Sequence, residues 1–149
     1  MYKISKENLK ALFRLIAAEQ ELYVPVKTAD QVNFAAWSEE AETDLDTLKT
    51  VKSPKDAFFP QSENLYTVKK EGKKLQVEPG ERKNQDFVIF GMKACDVQAV
   101  QVLDNVFLAE PVDTYYAARR ERGTIVSLAC HEPEESCFCK VFGIDCAEP

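Results

Sequence analysis

Histidine, tryptophan and glycine are scarce in this chain: one, one and five among 149 residues. A single imidazole, the lack of a phosphate-cradling glycine loop and the missing G-x-G-x-x-G pattern at the Gly91 turn leave a hydrolase or transferase little to work with. Long apolar runs are missing too. Nothing approaches the roughly 20 residues of a membrane span, and Met1 to Lys10 is polar, with no signal-peptide core. The sequence is therefore expected to be soluble and cytoplasmic, with no membrane insertion. Positive charge is in deficit, 19 Lys and Arg against 25 Asp and Glu for a net charge of −6. The basic residues are scattered, so no basic face stands ready for phosphates and nucleic-acid binding is not expected.

What the chain does have is cysteine, five in all. With no secretion signal a disulfide framework is not expected, and an odd count would leave one thiol over. Four of the five, Cys130, Cys137, Cys139 and Cys146, lie after Glu110, and such clustering points toward a metal or redox site.

The stretch from Asp86 to Cys139 organises these thiols. Phe87 to Phe90 is a short apolar run of strand type, and Gly91 to Asp96 turns the chain into a helix. There Val97, Val100, Leu103 and Phe107 recur at three- and four-residue steps, with Asp96 as the expected N-cap. A second, more polar helix spans Val112 to Arg122, starting with an acid and ending with Arg119, Arg120 and Arg122, which suits the helix dipole. Thr124 to Ala129 reads as another strand, ending at Cys130. This is β-α-β grammar, so if the strands are parallel neighbours Cys95 and Cys130 share the carboxyl edge of the sheet. Cys137 and Cys139 follow in a loop that leaves from the same edge.

The remainder fills out one α/β domain over residues 1–149, a parallel or mixed sheet with flanking helices plus a β-hairpin. Ser5 is positioned to cap a helix from about Lys6 to Glu19, with Leu9, Leu12, Phe13 and Ile16 as its buried stripe. Leu22 to Val26 and Val32 to Trp37 read as strands, the first placed at an edge by Pro25. Ser38 to Asp56 reads as a loop with one short strand or turn around Leu48. Phe58 or Phe59 anchors the turn set by Pro60, and Glu63 reads as a solvated carboxylate. Leu65 to Val77 reads as a hairpin turning at Glu71-Gly72, its lysines guarding an exposed edge. Glu78 to Asp86 is a polar linker.

Several chemistries suit the thiols. A cubane iron–sulfur cluster needs four thiolates, and Cys95, Cys130, Cys137 and Cys139 supply them, but C-x6-C-x-C is not the ferredoxin run. Zinc accepts the same number, yet the paired C-x2-C knuckles of structural zinc are missing. His131 can replace one ligand in either case, or stand beside the site. Free thiols packed without metal are a third option, and the role of Cys146 stays open.

Gly91-Met92-Lys93-Ala94-Cys95-Asp96-Val97-Gln98-Ala99-Val100, Leu103-Asp104-Asn105-Val106-Phe107-Leu108, Asp113-Thr114-Tyr115-Tyr116 with Arg119-Arg120-Glu121, Cys130 and Cys137-Phe138-Cys139 together resemble one family. It comprises the iron–sulfur electron-transfer subunits of soluble hydrogenases (the sulfhydrogenase beta subunit) and of anaerobic sulfite reductase. Phe59-Pro60 followed by Glu63 is similar to a segment of the same family. The resemblance implies a 4Fe-4S cluster held by Cys95, Cys130, Cys137 and Cys139. The residues themselves add Lys93 and His131 as expected neighbours that tune it by charge or hydrogen bonds, and Arg119 as an alternative contact to an anionic cofactor. It implies partner subunits as well, one handling flavin or nicotinamide and one catalytic. Relatives carry a following domain with two ferredoxin-type cysteine runs, so this chain is expected to be the amino-terminal part of a longer subunit. It departs from the family at Lys93-Ala94, where Arg-Pro is more usual, and at Cys146, where proline is.

Overall fold

The computed structural model describes residues 3–80 and 85–147. The middle of the polar linker, residues 81–84, lies outside them, as do the first two residues of the amino terminus. Among the described residues three α-helices and six strands form, besides short 3-10 turns: α1 (Leu9–Glu19), β1 (Glu21–Thr28), β2 (Gln31–Ala36), β3 (Tyr66–Glu71), β4 (Lys74–Pro79), β5 (Phe87–Met92), α2 (Ala94–Phe107), α3 (Thr114–Arg122) and β6 (Gly123–Ser127). The main sheet has the order β2-β1-β5-β6. β1, β5 and β6 run parallel and β2 returns antiparallel on β1, so the sheet is mixed, as the alternation of strand and helix patterns suggests.

Side-chain alternation along β5 divides the core between the two faces of the sheet. Phe87, Ile89 and Met92 pack with Phe58, Val100 and Tyr116 on the side covered by α2 and α3. Val88 joins Leu22, Val24 and Phe13 on the side covered by α1. The apolar stripe of α1 therefore lies on the sheet as its periodicity predicts, although Ser5 makes no side-chain cap and the first turn, Lys6–Asn8, is a 3-10 turn. Phe58, fully buried, is the anchor beside Pro60, whereas Phe59 stays exposed and stacks on Phe107 at 4.6 Å.

Three expectations are corrected. Pro25 is not on an edge strand, because β1 lies between β2 and β5. The proline is tolerated there because the β1–β5 ladder covers only Glu21 to Tyr23. Beyond it the missing N–H costs no bond on that side. Asp96 is not the N-cap of α2, which opens three residues earlier on an extended Lys93 whose carbonyl accepts from the Asp96 and Val97 amides. The Asp96 carboxylate instead accepts from Ser53 Oγ at 2.5 Å and Lys55 Nζ at 3.2 Å, tying the 3-10 turn Pro54–Ala57 to the helix. In the 38–56 loop the ordering device is a bridge from Val26 to Thr43 rather than an element at Leu48.

The hairpin forms one residue later than expected, turning at a left-handed Gly72 with φ of 60°. β3 and β4 make a separate two-stranded sheet, exposed throughout.

α2 and α3 are pinned by a polar network at the margin of the core. Asp104 accepts from Tyr116 Oη at 2.7 Å and from Arg120 Nε at 3.0 Å. Burial and that carboxylate both push the Tyr116 phenol up. Asp113 caps α3, accepting from the Tyr115 and Tyr116 amides at 2.9 Å.

Candidate metal centre

The edge where β5 and β6 end is held by a single carbonyl. Met92 O accepts from Leu128 N at 2.8 Å and from Ser127 Oγ at 3.0 Å, so the two strands finish side by side. β6 thus stops at Ser127, earlier than the apolar run implied, and Cys130 lies three residues into the following loop. The pairing shifts register between Phe90 and Met92, where Gly91 takes a φ of +97°. A β-carbon at Gly91 would come within 3.2 Å of Leu45 Cδ2 and 3.4 Å of Pro25 Cδ, so glycine fits both the torsion and the space.

Beyond that bulge the chain enters α2, and Cys95 occupies its first turn, exposed. Cys130 N donates to Cys146 O at 3.0 Å, which draws the last described segment back to the sheet edge. Between them Cys137 N donates to Glu134 O at 2.9 Å, and Cys139 opens the 3-10 turn Cys139–Phe142. A left-handed Gly143 ends that turn, with Ile144 N on Cys139 O at 3.0 Å. The parallel pairing does carry Cys95 and Cys130 to one edge, with the Cys137–Cys146 loop folded over it.

The thiols sense one another electrostatically. The protein around the Cys95 sulfur pushes its pKa up, and Asp96, Cys139 and Cys130 act in the same direction. Cys130 is also raised, first by burial, against which the Lys93 ammonium pulls down, and then by Cys146, Cys139 and Cys137. Burial thus disfavours the thiolate at both, and a metal bound through them would displace their protons. Among the described residues no three His, Cys, Asp or Glu side chains stand together as ligands of one ion. The donors are gathered in one region but not closed into a coordination shell. Chemically they are soft sulfur donors in the number a cubane cluster or a tetrahedral zinc requires.

The remaining expected site residues divide. Lys93, half-buried, stands between the strand end and Cys130. His131 is exposed on the loop beside Cys130. Arg119 goes elsewhere: it pairs with Glu63, making that carboxylate a structural partner rather than a solvated group. It lies on the helix that runs back to the start of β6, away from the thiol edge. Arg120 and Arg122 likewise hold Asp104 and Asp86.

Lys49 is a neighbour of the site that sequence reasoning missed. From the 38–53 loop it reaches Glu134 Oε2 at 3.1 Å and Ser136 Oγ, and the Cys137 and Cys95 sulfurs add to the raising of its pKa by Glu134. No local pattern marks it, because its partners are more than 80 residues away.

The fold and the edge define a class: a small α/β domain whose parallel strands deliver cysteines to one carboxyl edge. In sequence it is 31% identical over 145 residues, 97% of its length, to sulfhydrogenase 2 subunit beta of Pyrococcus furiosus. The chain spans 42% of the length of that relative. Over this domain the chain is similar to a hydrogenase beta subunit. No family profile matches the chain, and no solved structure does.

Proposed function

We propose that this domain belongs to an electron-transfer subunit of a multi-subunit oxidoreductase of the hydrogenase or sulfite-reductase type. In this reading Cys95, Cys130, Cys137 and Cys139 are the thiolates of a 4Fe-4S cluster. The observation that carries it is the gathering of these thiols at the end of two parallel strands, each within electrostatic reach of others. Similarity to a sulfhydrogenase beta subunit supports it. The cluster, when bound, would supply one-electron redox chemistry. The chain's own part is to hold the thiolates, and to set the potential through the Lys93 and Lys49 ammonium groups beside them and through His131. Electrons would pass to partner subunits, one handling flavin or nicotinamide and one catalytic, in the cytoplasm. The domain would turn over no substrate alone.

The test is paramagnetic resonance of protein prepared without oxygen and reduced with dithionite. A reduced-cluster signal is expected in the parent and in Cys146→Ser, and none in Cys137→Ser. A Cys137→Ser variant that keeps the full signal would exclude this ligand set. A second reading is an interaction scaffold, metal-free or zinc-stabilised, and the lack of three convergent ligands among the described residues favours its metal-free form. It expects no signal in any of the three proteins.

A further inference from the structure

The loop that carries Cys130 also closes one side of a cleft of about 750 Å3 on the α1 face of the sheet, a volume typical of small-molecule sites. Its wall is aromatic. Phe13 meets Trp37 at 6.3 Å and Phe90 at 5.0 Å, both edge-to-face, and all three rings line the space. Lys6, Lys10 and Lys93 line it as well, against two carboxylates, Asp46 and Glu132, so a protein of net charge −6 presents a positive surplus here.

These lysines are only loosely committed. Lys93 has no carboxylate within ion-pair distance among the described residues. Lys10 stands 3.7 Å from Glu39, a carboxylate that Arg14 already holds at 2.5 Å. Lys6 pairs with Asp46 at 3.6 Å where both side chains are almost fully exposed, and such a pair holds its partners weakly. The cleft also lies at the carboxyl ends of β5 and β6, where open α/β sheets bind their ligands. Ring-faced walls, loosely held ammonium groups and this position together ask for a flat apolar body with an anionic tail.

We propose that this cleft binds a mononucleotide, a planar heterocycle carrying a phosphate. The ring lies along Trp37 and Phe90, and the phosphate meets Lys10 and Lys93. This site adjoins the proposed cluster, sharing Lys93, Cys130 and His131 with it, but the proposal does not rest on that cluster.

Trp37 is the chain's single tryptophan and lines the cleft, so its emission reports occupancy directly. FMN and AMP, and their phosphate-free counterparts riboflavin and adenosine, are titrated into the full chain, iron-free and reconstituted, with calorimetry in parallel. Saturable binding of at least one nucleotide is expected, about ten-fold tighter than its phosphate-free counterpart. Lys10→Gln, an exposed change, should weaken the nucleotide about five-fold, leave the phosphate-free compound unaffected and leave the unfolding midpoint in place. No saturable binding of either nucleotide up to about 1 mM, a weak-binding limit, would overturn the proposal. So would equal affinity with and without the phosphate. Iron content is read independently, so failure here and failure of the cluster reading are distinguishable.

Discussion

Between α2, α3 and the sheet, Phe58, Ile89, Met92, Val100 and Tyr116 are almost wholly buried, and the polar groups at their margin, Asp104, Arg120 and Tyr116 Oη, are joined to one another. Across the sheet edge, from Leu128 to Ala147, no described residue is buried, and Phe138, Val141 and Phe142 lie open to solvent. The first region is ordered by apolar burial, whose return on area is enough to fix a fold. The second is held by backbone turns, the Leu128–Met92 and Cys130–Cys146 hydrogen bonds and the exposed contacts of Lys49 with Glu134 and Ser136. The proposed cluster would supply to this segment the order that apolar contacts do not.

The contrast predicts that substitutions in the two regions register in different measurements. Phe58→Ala should have the largest effect on stability, about 3–5 kcal/mol in urea unfolding, since it empties a fully buried site. Gly123→Ala comes next. A β-carbon there would stand 2.3 Å from Phe58 Cε1 and 2.7 Å from Phe87 Cζ, so overpacking should cost about 1–3 kcal/mol. Tyr116→Phe removes the hydroxyl on Asp104 and should cost about 1 kcal/mol. Cys137→Ser, by contrast, should shift the unfolding of the metal-free chain by less than about 0.5 kcal/mol, while changing what metal the chain retains. If Cys137→Ser destabilised the metal-free chain as much as Tyr116→Phe, the division between the regions would fail.

The smallest effect concerns the 38–53 loop. Asp44 accepts from Thr47 Oγ1 and from the Thr47 and Asp46 amides, and these bonds, the Thr47 side chain first, hold its carboxyl below the usual range. A folded pKa below the unfolded one contributes stability above the unfolded value, and that stability is lost as pH falls through the folded one. Asp44→Ala should therefore flatten the acid side of the stability profile slightly and leave the region above pH 6 parallel to the parent.

Much of the first region was legible because period and burial agree. The three- and four-residue steps of Val97, Val100, Leu103 and Phe107 predict the buried side of α2, and the apolar run from Phe87 predicts a strand, which the structure covers on both faces. Boundaries were less legible. Asp96 has the chemistry of a cap, but Ser53 and Lys55, more than 40 residues away, claim its carboxylate. Pro25 marks an edge only if the neighbouring ladder reaches it, and here that ladder stops at Tyr23. At the site, shared grammar put Cys95 and Cys130 on one edge, whereas Arg119 found Glu63 and Lys49 found Glu134 through folding alone.

The proposed cluster is tested most directly by the iron, acid-labile sulfide and zinc content of each chain, purified and reconstituted without oxygen. About four irons and four sulfides are expected, the composition of one cubane, with zinc near background. One zinc with no iron, or neither metal, would contradict the four-thiolate cluster.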